Sequence, residues 1–126
     1  MNKFLKILFC ILLISNISNA QISTKEVYEL LNKHNIQNKD VVMRIAIHET
    51  NWFRSNRAIS HKNLFGFLVG VNRFETYDAS VLAYKRRVES RLRKGENYYA
   101  FLKRIKYAAD PDYERKLKRI NYEQKL

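Results

Sequence analysis

HETNWF, residues His48 to Phe53, closes a run that reads as the inside of a helix. Upstream lie Val41, Val42, Ile45, Ala46 and Ile47. Val42, Ile45, Ala46 and Glu49 fall at i, i+3, i+4 and i+7, which is one helical face. A carboxylate therefore continues an apolar stripe. Burying an unpartnered carboxylate is costly, so the position calls for a partner or a chemical use. Arg44, Arg54 and Arg57 are the nearest cations in sequence. The chemical use is general acid catalysis. A carboxyl at the end of an apolar face that opens into a cleft is partly desolvated, which favours its protonated form, and it can pass that proton to a leaving oxygen.

Outward from this helix the chain reads as a string of short helices. Ser23 or Thr24 caps a first one, with Glu26 in its first turn and Val27, Leu30 and Leu31 on its apolar face. Residues 35–38 break it, and Asp40 opens the helix that carries Glu49. Residues 54–62 are polar and irregular. NLFGFLVGVNRFETY, residues 63–77, alternates Phe67, Val69 and Val71 around Gly66 and Gly70, a pattern for a minimal β-hairpin or an extended loop. Asp78 caps a third helix to Arg93 with Val81, Leu82 and Val88 inward, ended by Lys94-Gly95. Residues 96–108 form a fourth, and Asp110-Pro111 opens a fifth, aspartate at the cap and proline in the first turn. The fold class is mainly α.

Residues 1–20 read as a signal peptide rather than as fold. Lys3 and Lys6 precede an apolar run over 7–14, and Ser18 and Ala20 supply a small-residue cleavage site. The run is too short for a bilayer span, which needs ~20 residues. The expected product is one domain, 21–126, secreted or periplasmic. The only cysteine, Cys10, falls in the leader, so the remainder has neither a disulfide framework nor a thiolate nucleophile. Of the 24 basic residues, loss of Lys3 and Lys6 leaves 22 against 12 acidic ones, a net charge of +10. That balance draws a protein to polyanions such as wall polymer or lipid headgroups, and equally serves plain solubility. ERKLKRINYEQKL at the C-terminus fits either a charged outer helix face or a membrane-surface helix. A monomer without cofactor or metal is expected. His34, His48 and His61 are scattered, and His48-Glu49 lacks H-E-x-x-H spacing because position 52 is Trp.

Four elements stand in order, beginning with that of Glu49 itself. They are Glu49-Thr50; Asn63-Leu64-Phe65-Gly66; Phe74 and Tyr77 before Ser80; and Tyr107-Ala108, Asp110, Tyr113, Lys116 and Leu117. In that order and spacing, over residues 41–120, the chain resembles the glucosaminidase family of peptidoglycan hydrolases. The resemblance implies a small lysozyme-like helical domain and hydrolysis of the β-1,4 bond after N-acetylglucosamine in peptidoglycan, with Glu49 as the proton donor. Tyr107 aligns with the family's active-site tyrosine, which positions the acetamido group or the water. Asp110 is the helix cap argued above rather than a base. Trp52, Asn63, Phe65, Phe67 and Tyr77 are the candidates to bind glycan, since flat aromatic faces suit pyranose rings. No nucleic-acid partner is expected.

The chain also departs from that pattern. The family often supplies a second carboxylate from a hairpin between N-L-F-G and F-x-x-Y, yet here only LVGVNR separates Phe67 from Phe74, and it holds no acid. Glu75 is the nearest candidate, in a solvated position. Ala83 stands where many relatives carry an aspartate before Tyr84. An external base would have to sit ~6.5–9.5 Å from the acid, whereas hydrolysis assisted by the substrate's acetamido oxygen needs none. The second route is the expectation for this chain. A basic module that binds peptidoglycan or anionic lipid without turnover is the alternative.

Overall fold

In the computed structural model, residues 21–126 are described; residues 1–20, where the expected signal peptide and Cys10 fall, lie outside the described residues. Six α-helices and two 3-10 turns cover 54% of the described residues, and no strand occurs among them, so the chain is mainly α as expected. The helices are α1 (Thr24–Lys33), α2 (Lys39–Thr50), α3 (Asn56–Ser60), α4 (Tyr77–Arg87), α5 (Tyr98–Arg104) and α6 (Tyr113–Lys118).

α2 is the most deeply buried helix. Val41, Val42, Met43, Ile45, Ala46, Ile47 and Thr50 are all buried, so more than the one expected face of this helix is inside. α1 and α6 pack on it, and α4 packs on α1. α1 starts where Ser23 and Glu26 form a reciprocal capping box, each side chain bonded to the other's backbone amide at 3.1 and 3.2 Å. Its Val27 and Leu31 reach the core.

Several boundaries differ from the sequence reading. Ser55 caps a short α3 inside the segment expected to be irregular, its hydroxyl accepting from Ala58 N at 3.1 Å. Thr76, not Asp78, caps α4, while Asp78 pairs with Lys33 at the end of α1 and with His34 just after it. Leu82 is 44% exposed, whereas Ala83 and Tyr84 are buried. The larger Tyr84 sets the rotation of α4, because its hydroxyl finds the Tyr98 hydroxyl and its ring stacks on Phe65 at 4.4 Å. α5 begins at the Asn97 cap and ends at Ile105, shorter than expected. α6 begins at Tyr113, and Asp110 lies in the preceding turn, bonded to Asp112 N at 2.9 Å and paired with Lys116. Residues 68–73 form a loop and not a hairpin.

α4 also stops short of Arg93, giving way at Val88 to a 3-10 turn over Glu89–Arg91. The break turns the buried Glu89 carboxylate onto the backbone N–H of Gln37, in the link between α1 and α2. Glu89 thus ties the far end of α4 to the start of the central helix. Replacing Glu89 by Ala removes the acceptor from the Gln37 N–H, and the unfolding free energy should fall by about 0.5–1.5 kcal/mol. Urea denaturation reads this; an unchanged midpoint would mean that the tether contributes nothing.

Candidate active site

Glu49 stands half-buried in the last turn of α2, and the chain reverses immediately after it. Asn51, Trp52 and Phe53 have φ of 49, 59 and 63°, three consecutive left-handed residues, two of them aromatic. Such a run is held against its own sterics only by surrounding bonds. Thr50 provides them. Its buried hydroxyl donates to Ala46 O at 2.6 Å and accepts from Phe53 N at 2.9 Å. Its carbonyl takes Arg54 N and Ser55 N, both at 3.1 Å. The reversal buries Phe53 and turns Trp52 toward the C-terminus, where the Lys125 ammonium lies 4.3 Å from the indole centroid.

The N-L-F-G segment is braced against this helix end. Asn63 is fully buried; its amide nitrogen donates to Phe67 O at 2.9 Å and Asn72 O at 3.0 Å, while its oxygen accepts from Phe67 N at 3.0 Å. One side chain thereby does the work of a strand partner, which is why no ladder is needed. Gly66 has φ of +66°, and a Cβ there would stand 3.2 Å from Glu49 Cβ and 3.3 Å from Glu49 Oε2. Only glycine combines that backbone with that close an approach.

Tyr113 of α6 closes the other side, its hydroxyl donating to Glu49 Oε1 at 2.9 Å. The Tyr107 and Tyr113 rings are 6.0 Å apart, the Tyr107 and Tyr84 rings 6.4 Å, and His48 meets Tyr113 edge-on at 5.3 Å. Burial raises the Tyr113 phenol, with Tyr107 and Glu49 adding to it. Burial likewise raises Tyr107 well above the usual phenol value, followed by the Glu49 charge and then Tyr98. Both tyrosines therefore remain protonated donors at neutral pH.

Glu49 and Tyr107 of this group open onto a cleft of about 610 Å³. Glu49, Gly66 and Tyr107 line it together with Phe65, Phe67, Leu68 and Val69 of the loop and Arg87, Val88, Arg91, Ile105 and Lys106. Glu49 is the one carboxylate among these residues. Glu75 is exposed and outside the lining, and its carbonyl accepts from Lys62. Of the sequence candidates, Phe65 and Phe67 reach the cleft, and Trp52, Asn63 and Tyr77 do not. Asn63 is inside the loop it braces, Trp52 is turned to Lys125, and Tyr77 lines a separate cavity of about 460 Å³ with Glu26, Leu30 and Lys62. Tyr113 is not among the site candidates of the sequence; its place six residues after Tyr107 in the Tyr107-Ala108…Tyr113 element is the signal that marks it. No group of three or more His, Cys, Asp or Glu is placed to hold a metal among the described residues.

Placing a methyl at position 66 tests this packing. In Gly66→Ala the left-handed backbone alone should cost about 1–2 kcal/mol, before any shift of Glu49. Chemical denaturation would detect it, and an unaffected midpoint would contradict the close approach.

No curated protein and no solved structure matches the chain. The model of the glucosaminidase family, described as mannosyl-glycoprotein endo-β-N-acetylglucosaminidase, matches residues 24–126. With α1 through α6 and the whole Glu49 cleft inside that match, the chain belongs to the glucosaminidase family and is a glycoside hydrolase.

Proposed function

We propose that the chain is an exported peptidoglycan hydrolase that cleaves the β-1,4 bond after N-acetylglucosamine, with Glu49 as its general acid. The observation that carries this reading is the setting of Glu49, the one carboxylate lining the cleft. Tyr113 occupies Oε1, and the missing side chain at Gly66 leaves room at Oε2 for a proton and a leaving oxygen. The family description names a mannosyl-glycoprotein substrate. Peptidoglycan offers the same linkage, and the net charge of +10 on residues 21–126 favours a polyanionic wall. Export rests on Lys3 and Lys6 ahead of the apolar run and on Ser18 and Ala20 behind it.

The chemistry proceeds by two displacements. Glu49 gives its proton to the glycosidic oxygen while the acetamido carbonyl oxygen of the same sugar bonds to the anomeric carbon and the glycosidic bond breaks. Water then attacks that carbon, the oxazolinium ring opens, and the water's proton returns to the Glu49 carboxylate. Tyr107, a protonated donor on the cleft, orients the acetamido group for the first step. A wall-binding module without turnover is the second reading, favoured by the single carboxylate.

Glu49→Gln keeps the shape of the side chain and removes the transferable proton. Release of new reducing N-acetylglucosamine ends from purified peptidoglycan should fall by ~10²-fold or more while folding is retained. Digestion at the native rate would remove Glu49 from the role of acid. If the native protein pulls down peptidoglycan but releases no reducing ends, the binding module is the correct reading.

The route itself is read from stereochemistry. Glu75→Gln should keep most activity, Tyr107→Phe should lose more than ~ten-fold, and the first-formed reducing end should retain the β configuration by proton NMR. A fresh α-anomer would mean inversion by a single displacement, with Glu75 first in line as the base.

A further inference from the structure

We infer that residues 68–71 form a docking tip that seats the protein on an anionic phospholipid surface. Leu68, Val69 and Val71 are 69, 87 and 61% exposed, three of the five large apolar side chains exposed among the described residues. Single exposed apolar residues are ordinary, but three within four positions form a patch that water penalises. Gly70, with φ of +72°, turns the chain at this tip, and the only atom near the place of its absent Cβ is an Arg87 guanidinium nitrogen at 4.0 Å.

The chemistry around the tip selects the occupant. Arg87 also stacks on Phe67 at 4.9 Å, Arg91 and Lys106 share the cleft with Leu68 and Val69, and Arg73 follows in the chain. None of these four cations pairs with a carboxylate among the described residues. Residues 64–73 contain no acid. Exposed aliphatic side chains inside a collar of unpaired cations match a bilayer with anionic headgroups: the cations meet the phosphates and the side chains enter the acyl boundary. No described helix is long and apolar enough to cross a membrane, so the attachment is peripheral. Because Leu68 and Val69 also line the cleft, docking brings its mouth to the membrane surface. The inference stands apart from the catalytic reading.

Vesicle sedimentation at ~0.15 M salt tests it. The protein should partition onto phosphatidylcholine vesicles containing about a third phosphatidylglycerol and not onto phosphatidylcholine alone. The triple variant Leu68→Ser, Val69→Ser, Val71→Ser, with native circular dichroism, should lose at least ~ten-fold in that partitioning. A second readout does not depend on that variant. In a Trp52→Phe background, which removes the chain's only tryptophan, Val69→Trp emission should shift to the blue on adding the anionic vesicles. Native-like partitioning of the triple variant, an unshifted emission, or no preference for anionic vesicles would each overturn the proposal. So would a triple variant that keeps vesicle binding and loses only wall binding, which would assign the tip to the glycan.

Discussion

The hydrogen bond from the Tyr113 hydroxyl to Glu49 joins the last α-helix to the end of the central one, and the cleft is organised around it. It occupies one carboxyl oxygen from the core side and leaves the other facing Gly66. Tyr113 is nearly buried and leans on Tyr107, which in turn leans on Tyr84 beneath Phe65. A donor held this firmly fixes the orientation of the carboxylate before anything enters the cleft.

The price of that arrangement is paid in backbone strain on both flanks of Glu49. On one side, three left-handed residues reverse the chain, and the Thr50 hydroxyl and carbonyl satisfy the amides the reversal would strand. On the other, Gly66 accepts a left-handed φ so that the loop can touch Glu49, and Asn63 braces the loop from within. Each device serves one end: a half-buried carboxyl with an open approach. Thr50 and Asn63 act from within the core, while Gly66 does so from the wall of the cleft.

Charge is distributed unevenly about this site. Asp40, Asp78, Glu96, Asp110, Asp112 and Glu114 are each matched by a nearby cation. Glu96 is held at about 2, first by the hydrogen bond from Arg104 and then by the Arg93 amide. Arg73, Arg87, Arg91 and Lys106 about the loop and cleft have no such partners among the described residues, and their charge adds to the positive field where the loop and cleft open. A basic average in composition becomes a local attraction there.

The sequence by itself determined the helical class, the central helix and the position of Glu49 on its apolar side, because these depend on local periodicity and on short ordered elements. It also carried the capping box at Ser23 and the Tyr107…Tyr113 spacing. Other features were decided only by tertiary structure. Trp52 and Tyr77 are as aromatic as Phe67, but the left-handed turn and the rotation of α4 carry them away from the cleft, and neither is written in local pattern. Leu82 lost its inward place to Tyr84 because a hydroxyl–hydroxyl bond and a ring stack outweigh one aliphatic contact. Residues 68–71 alternate like a strand and form none; Asn63 instead holds the backbone on either side of them, at Phe67 and Asn72. Hydrogen bonds between residues tens of positions apart, such as Tyr113 with Glu49 and Glu89 with Gln37, exist only once the helices have packed.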